Sequence, residues 1–297
     1  MNRFMIAACC LGFVVTSQAQ TEPHWEDLVV FGAGYMGPNA LPVPFMNMGR
    51  INNQNELQLS TVAYFSEGEQ TYNVATRANL ALVEDLVSFD LFWVPVEYFQ
   101  MSDEIRETRV VLPVKGDQKF AIGDVYLNST VQILSLPEFS LAARAGFKFP
   151  SSNGVALSRF TDSPGYNLDL GACWDLLEQN SSGASLELQA MAGFYSYQTQ
   201  GGYANYRQND ALLFGLSIDY QSGFWRAILE ARGYLGYFDL RDQPVLIRAH
   251  LDRSFQRGAL FFALQMGVND LRYLSPEAGI RLFFPPVKVG YRHHSPL

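Results

Sequence analysis

Residues 55–65, NELQLSTVAYF, decide the fold. Leu57, Leu59, Thr61, Ala63 and Phe65 fall on one side of an extended chain, and Gln58, Ser60 and Tyr64 on the other. That is the period-two signature of a strand with one apolar and one polar face. The alternation recurs downstream: Tyr72 to Leu82 sets apolar residues against Asn73, Arg77 and Asn79, and Val125 to Ile133 opposes Tyr126, Asn128, Thr130 and Gln132. Twelve such segments are read between Asn55 and Phe284, separated by turn residues such as Pro137 and Ser222-Gly223. Each is long enough to cross a bilayer as a tilted strand. An even count, with short connections near residues 84, 136, 181, 222 and 257 alternating with longer ones at 100–121, 151–165 and 199–208, predicts an antiparallel up-and-down transmembrane β-barrel over 55–284.

The charged residues set the register. Arg77, Asp124, Arg144, Lys148, Asp169, Asp175, Glu187, Asp219, Arg226, Glu230, Arg232, Arg248, His250, Asp252 and Arg281 all fall opposite the apolar rows and are predicted to line the lumen. An Arg or Lys facing lipid near the midplane costs roughly 2–4 kcal/mol, and a one-residue slip would turn every such residue outward. The mixture of signs argues against a single-sign filter and suggests ion pairs across the bore. The third segment, with Asp90 inside an apolar run, leaves its facing open. A secreted β-sandwich is the soluble alternative, but long strands with charges on one face and no cysteine framework fit it poorly.

Residues 1–19 divide like a secretory signal, with Arg3, an apolar run from Phe4 to Val15, and Ser17-Gln18-Ala19 at the cleavage position. Cleavage there would remove Cys9 and Cys10, leaving Cys173 without an intramolecular partner, and would take the net charge from −8 to −9 by loss of Arg3. The acidic balance excludes nucleic acid as a partner. These features predict an outer-membrane protein of a Gram-negative bacterium, embedded among lipid and lipopolysaccharide, with both termini periplasmic.

Residues 20–54 contain GAGYMGPNALPVPFMNMG, too rich in Gly and Pro for a long helix or a central strand. They read either as a linker or as a lumen plug, with Phe45, Met46 and Met48 as the apolar contacts. Near the other end, Glu277 to Phe284 follows the barrel-assembly signal, in which Gly279, Leu282 and the aromatic Phe284 would address the assembly machinery. PPVKVGYRHHSPL then departs from that pattern, and Pro285-Pro286 favours a periplasmic tail over 285–297.

FAIGDVYLNSTVQIL, RAGFKFPSS and RFTDSPGYNLDLG, with GPNALPVP upstream, resemble an uncharacterised bacterial outer-membrane β-barrel family. More distantly they resemble transporter-type barrels associated with aromatic-compound (phenol meta-pathway) degradation. The resemblance implies an exported barrel that passes small molecules and carries over no binding residue. Among chemistries, an acyl hydrolase would need a nucleophile and a His base. Only His250 lies in a strand, and no His or Ser motif accompanies it. His293-His294 alone makes no metal site. No catalytic residue, metal or cofactor is predicted. Arg159 and Asp162 are read as an outer-loop ion pair or a contact at the mouth. The sequence thus favours a narrow channel or transporter, open or gated, for a small polar or amphipathic solute. A lipid hydrolase and a structural or adhesive barrel with partner-binding loops are the alternatives.

Overall fold

In a computed structural model the described residues are 32–111, 118–177, 183–201, 205–238 and 241–285. Residues 1–31, which hold the stretch read as a secretory signal and the first part of the extension, and residues 286–297 lie outside them, and with them the choice between tail and wall. Twelve antiparallel strands close into one barrel: β1 (Asn55–Ser66), β2 (Glu69–Val83), β3 (Val87–Met101), β5 (Val125–Ser135), β6 (Phe139–Phe149), β7 (Gly165–Leu177), β8 (Ala184–Gly201), β9 (Asn205–Ser222), β10 (Trp225–Gly236), β11 (Val245–Phe255), β12 (Gly258–Asn269) and β13 (Leu274–Phe284). The two-residue β4 (Phe120–Ala121) adds to the upper part of β3. Closure comes from β1, which pairs with β2 on one side and with β13 on the other, Asn55 opposite Phe284.

The alternation works as the charges require. Leu59, Leu170, Leu216, Leu229 and Leu260 stand about half exposed on the outside, where hydrocarbon would cover them, and aromatics such as Trp225, Phe284, Tyr98 and Phe149 sit toward the rims. Strand direction places the turns at 84–86, 136–138, 223–224 and 256–257 at the end where β1 begins. The described residues of the connections after β3, β6 and β10, namely 102–111 and 118–119, 150–164, and 237–238 and 241–244, lie at the other end, the first carrying the short helix α1 (Asp103–Thr108). Of the expected loop at 199–208, residues 199–201 and 205–208 are strand. β8 runs to Gly201 and β9 starts at Asn205, because the polar-aromatic alternation of 195–198 continues the ladder past the apolar belt.

One irregularity matters for the lumen. Between the pairs Val74–Val96 and Thr76–Trp93, β3 carries an extra residue at Val94-Pro95. This bulge inverts the facing of the strand above it. Below it Leu91 faces out; above it Val96 faces out, and Glu97 becomes fully buried inside.

Candidate functional site

The lumen is occupied by the chain itself. Residues 32–54 run through the whole bore, starting among the long loops and ending where β1 begins at the short-turn end. At the upper end Ala33 N–H donates to Asp242 (2.9 Å), and Gly37 N–H donates to the Ser158 carbonyl (2.7 Å). Midway, Leu41, Val43 and Met46 pack with Met191, Leu213, Tyr195 and Tyr234 of the wall, and Met48 rests against this cluster. At the lower end the Arg50 guanidinium bridges Asp175 (2.9 Å) and Glu187 (3.0 Å), and the Asn52 and Gln54 carbonyls accept from Asn79.

The wall makes room for this segment where it lacks side chains. A Cβ at the lumen-facing Gly171 would come within 2.5 Å of the Asn47 carbonyl oxygen. Gly49, at φ +71°, passes over the backbone of Ala172 at a distance no side chain would allow. Asn47 then donates to Asp169 (2.9 Å) and to the Ala142 carbonyl (3.3 Å).

Phe45 is held by arginines as much as by apolar contacts. The guanidinium carbons of Arg77 on β2 and Arg232 on β10 lie 4.6 and 4.8 Å from its ring centroid, and Phe92 meets it edge-on at 5.1 Å. Arg144 donates to the Phe45 carbonyl (2.7 Å) and Arg232 to that of Pro44 (3.0 Å). An irregular polar cavity of about 590 Å³ adjoins Phe45 and opens between the segment and the surrounding wall.

All fifteen residues read as lumen-lining are buried or half-buried on the inside, Asp124 from the stretch just before β5 rather than from a strand. They do not pair across the bore as expected. Arg144 pairs with Asp169, Arg226 with Asp219, Arg77 with Asp90, Arg281 with Asp252 and Arg232 with Glu230, all along the wall. Lys148 pairs with Asp124 (2.8 Å) and donates to the Ser163 carbonyl (2.7 Å). Facing residues on neighbouring strands are roughly 5 Å apart, within side-chain reach, whereas a twelve-strand bore is wider and is here filled by residues 32–54.

His250 stacks on Phe261 (5.1 Å) and its ring nitrogens face Arg248, Asp252 and Arg281. No Ser, Thr or Cys hydroxyl or thiol is among these partners. Cys173, Asp175 and Glu187 bring three possible metal donors within 4.8 Å of one another, and the Arg50 guanidinium pairs with both carboxylates there.

Sequence reading missed the charged cluster at the upper mouth. Arg159, fully buried, contacts Glu69, Glu97 (2.7 Å) and Thr71 (2.7 Å) and lies 4.7 Å from the Phe99 ring centroid; its partner is not Asp162. Arg109 adds a second pair with Glu69 (2.7 Å), and Asn39 of the threaded segment donates to Glu97 (2.6 Å). Burial draws the Arg159 guanidinium down to about 9 and that of Arg109 to about 10, so both stay charged at neutral pH. The signal that would have found Glu97 is Pro95, which breaks a wall ladder and marks the bulge.

No family model and no curated protein matches the chain. Among solved structures, the NanC porin is similar at a TM-score of 0.53 and 11% identity, covering 77% of this chain and all of that one. The COG4313 outer membrane channel from Pseudomonas putida F1 is similar at a TM-score of 0.53 and 13% identity, covering 86% of this chain and all of that one. At these identities the likeness is one of fold.

Proposed function

We propose that the protein is an outer-membrane channel of a Gram-negative bacterium for small polar or amphipathic solutes, closed at rest by residues 32–54. The observation that carries this reading is the polar cavity of about 590 Å³ inside a closed apolar-belted wall, bounded on one side by a threaded segment. A filled structural barrel would have little reason to keep such a space beside its own chain. The names of the similar barrels, a porin and an outer membrane channel, support the same reading. So does the distant resemblance to transporter-type barrels of aromatic degradation. In this reading the outside contacts lipid and lipopolysaccharide, and Gly279, Leu282 and Phe284 on β13 present the assembly signal. The hydrolase alternative gains nothing from His250, whose ring is engaged by two arginines and Asp252.

The test is single-channel recording from the refolded chain in planar bilayers, beside a variant lacking residues 34–49. The intact chain should show small or rare openings, and the deletion should raise conductance severalfold in discrete steps. Equal conductance from two demonstrably folded proteins would refute closure by this segment.

A further inference from the structure

We infer that Arg50 is the pin that keeps residues 32–54 in the bore: its ion pairs with Asp175 and Glu187 break before the segment moves, and ionic strength at the short-turn end sets how often they do. This rests on the closed-channel reading above and names how closure is regulated.

The charge distribution singles this contact out. Between residues 32 and 54, Arg50 is the only charged residue. Asp90, Asp169, Asp219, Glu230, Asp252 and Glu277 each have an arginine of the wall as partner. Among the described residues, Asp175 and Glu187 form ion pairs with Arg50 alone. The one cation of the segment therefore sits on the carboxylate pair that the wall leaves unmatched. Its seat spans three strands: Ser140 of β6 accepts from Nε (3.4 Å), Asp175 of β7 from Nη2 (2.9 Å) and Glu187 of β8 from Nη1 (3.0 Å). Residues 51–54 alone separate Arg50 from β1. The segment can swing out toward the short turns only about that hinge, which carries Arg50 off its seat. It cannot clear the bore toward the long loops while Arg50 is held at the lower end. Every other tie of the segment is made without a charge of its own. Arg50 is 40% exposed and lines the cavity, so dissolved ions reach it. Such a pair weakens as the Debye length falls from about 10 Å at 0.1 M salt to about 3 Å at 1 M.

The seat carries its own reporter. Cys173, two residues before Asp175 on the lumen face, is fully buried. Gly49 passes over its backbone, where a Cβ would lie 2.7 Å from the Cys173 nitrogen. Movement of residues 49 and 50 uncovers this thiol.

The experiment is the rate at which a water-soluble maleimide labels Cys173 in the refolded full chain, with Cys9→Ser and Cys10→Ser removing the other thiols. Labelling should be slow in 0.1 M potassium chloride and severalfold faster in 1 M. Arg50→Gln should label at the fast rate in both. Losing a nearby cation by itself makes a thiol less reactive, so a faster rate reports exposure. Arg50→Glu combined with Glu187→Arg again places one cation between two carboxylates and should restore slow, salt-dependent labelling. The heat-modifiable band on a gel shows that each variant is folded. A folded Arg50→Gln protein that labels as slowly as the parent, or keeps its salt dependence, would overturn the inference. So would a folded charge-swapped protein that stays fast. The two readings fail separately. Conductance that rises on deletion of 34–49, with labelling unmoved by Arg50→Gln, leaves the channel and removes the pin. Labelling that follows Arg50 and salt, without any conductance, leaves the pin and removes the channel.

Discussion

Arg159 shows how a single side chain can tie a loop, two wall strands and the threaded segment together. It comes from a loop, reaches into the barrel, and joins Glu69 of β2, Glu97 of β3 and the ring of Phe99, while Asn39 of the threaded segment bonds the same Glu97. Charges this deeply buried are costly to desolvate, and removing one partner costs more than removing all of them, since the survivors stay unpaired. Arg159→Ala should therefore lower unfolding stability by about 3–5 kcal/mol in denaturant titration of the refolded barrel. The quadruple change Arg159→Met, Arg109→Met, Glu69→Gln and Glu97→Gln, which leaves no charge of the cluster unpaired, should cost less than the single one. A larger loss for the quadruple variant would mean that the charges stabilise the mouth cluster on balance.

At the scale of the element, β3 illustrates where sequence reading succeeds and where it stops. Leu59, Leu170 and the apolar rows of the other strands were assignable to the outer face because a strand with one face in lipid admits one register, whereas Asp90 inside an apolar run left the facing of β3 open. The lumen row from Arg77 to Arg281 followed from the same rule. Above Pro95 the rule gives the wrong face, because one extra residue inverts everything after it. Glu97 was hidden for that reason, and Arg159 with it, since a loop carries no period from which its burial could be read. The plug was legible as composition only. Gly, Pro and Asn say that 34–49 is neither helix nor strand, but nothing local says that Asn47 meets Gly171, 124 residues away in sequence. Deleting Pro95 tests the account of the bulge. It removes the one extra residue, so the strand alternates regularly with Val96 still outward and Glu97 still inward, and the folded, heat-modifiable form should persist on gel analysis. A lost folded fraction would show that the bulge does more than absorb one residue.

For the whole molecule the telling feature is the direction of threading. Residue 32 lies with the long loops and residue 54 with the short turns, so the described start of the chain and Pro285 are at opposite ends of the barrel. Both termini themselves lie outside the described residues, and with them the expectation that they share one side. If the short turns face the periplasm, a cysteine placed by Tyr35→Cys, at an exposed position, should react with a membrane-impermeant maleimide on intact cells. A cysteine from Glu84→Cys in a short turn should react only after permeabilisation, and the buried native Cys173 should stay silent. Labelling of both, or of Glu84→Cys alone, would reverse or refute the threading. Threading also imposes an order of events. The seam between β1 and β13 joins residues more than two hundred positions apart and is the last contact that a chain growing by neighbouring hairpins can make. A strap that spans the bore is most directly installed while that seam is still open, the wall curling around it like a sleeve sewn shut over an arm. The barrel would then be born occupied, and opening it would be an act performed on a finished protein rather than a state left over from assembly.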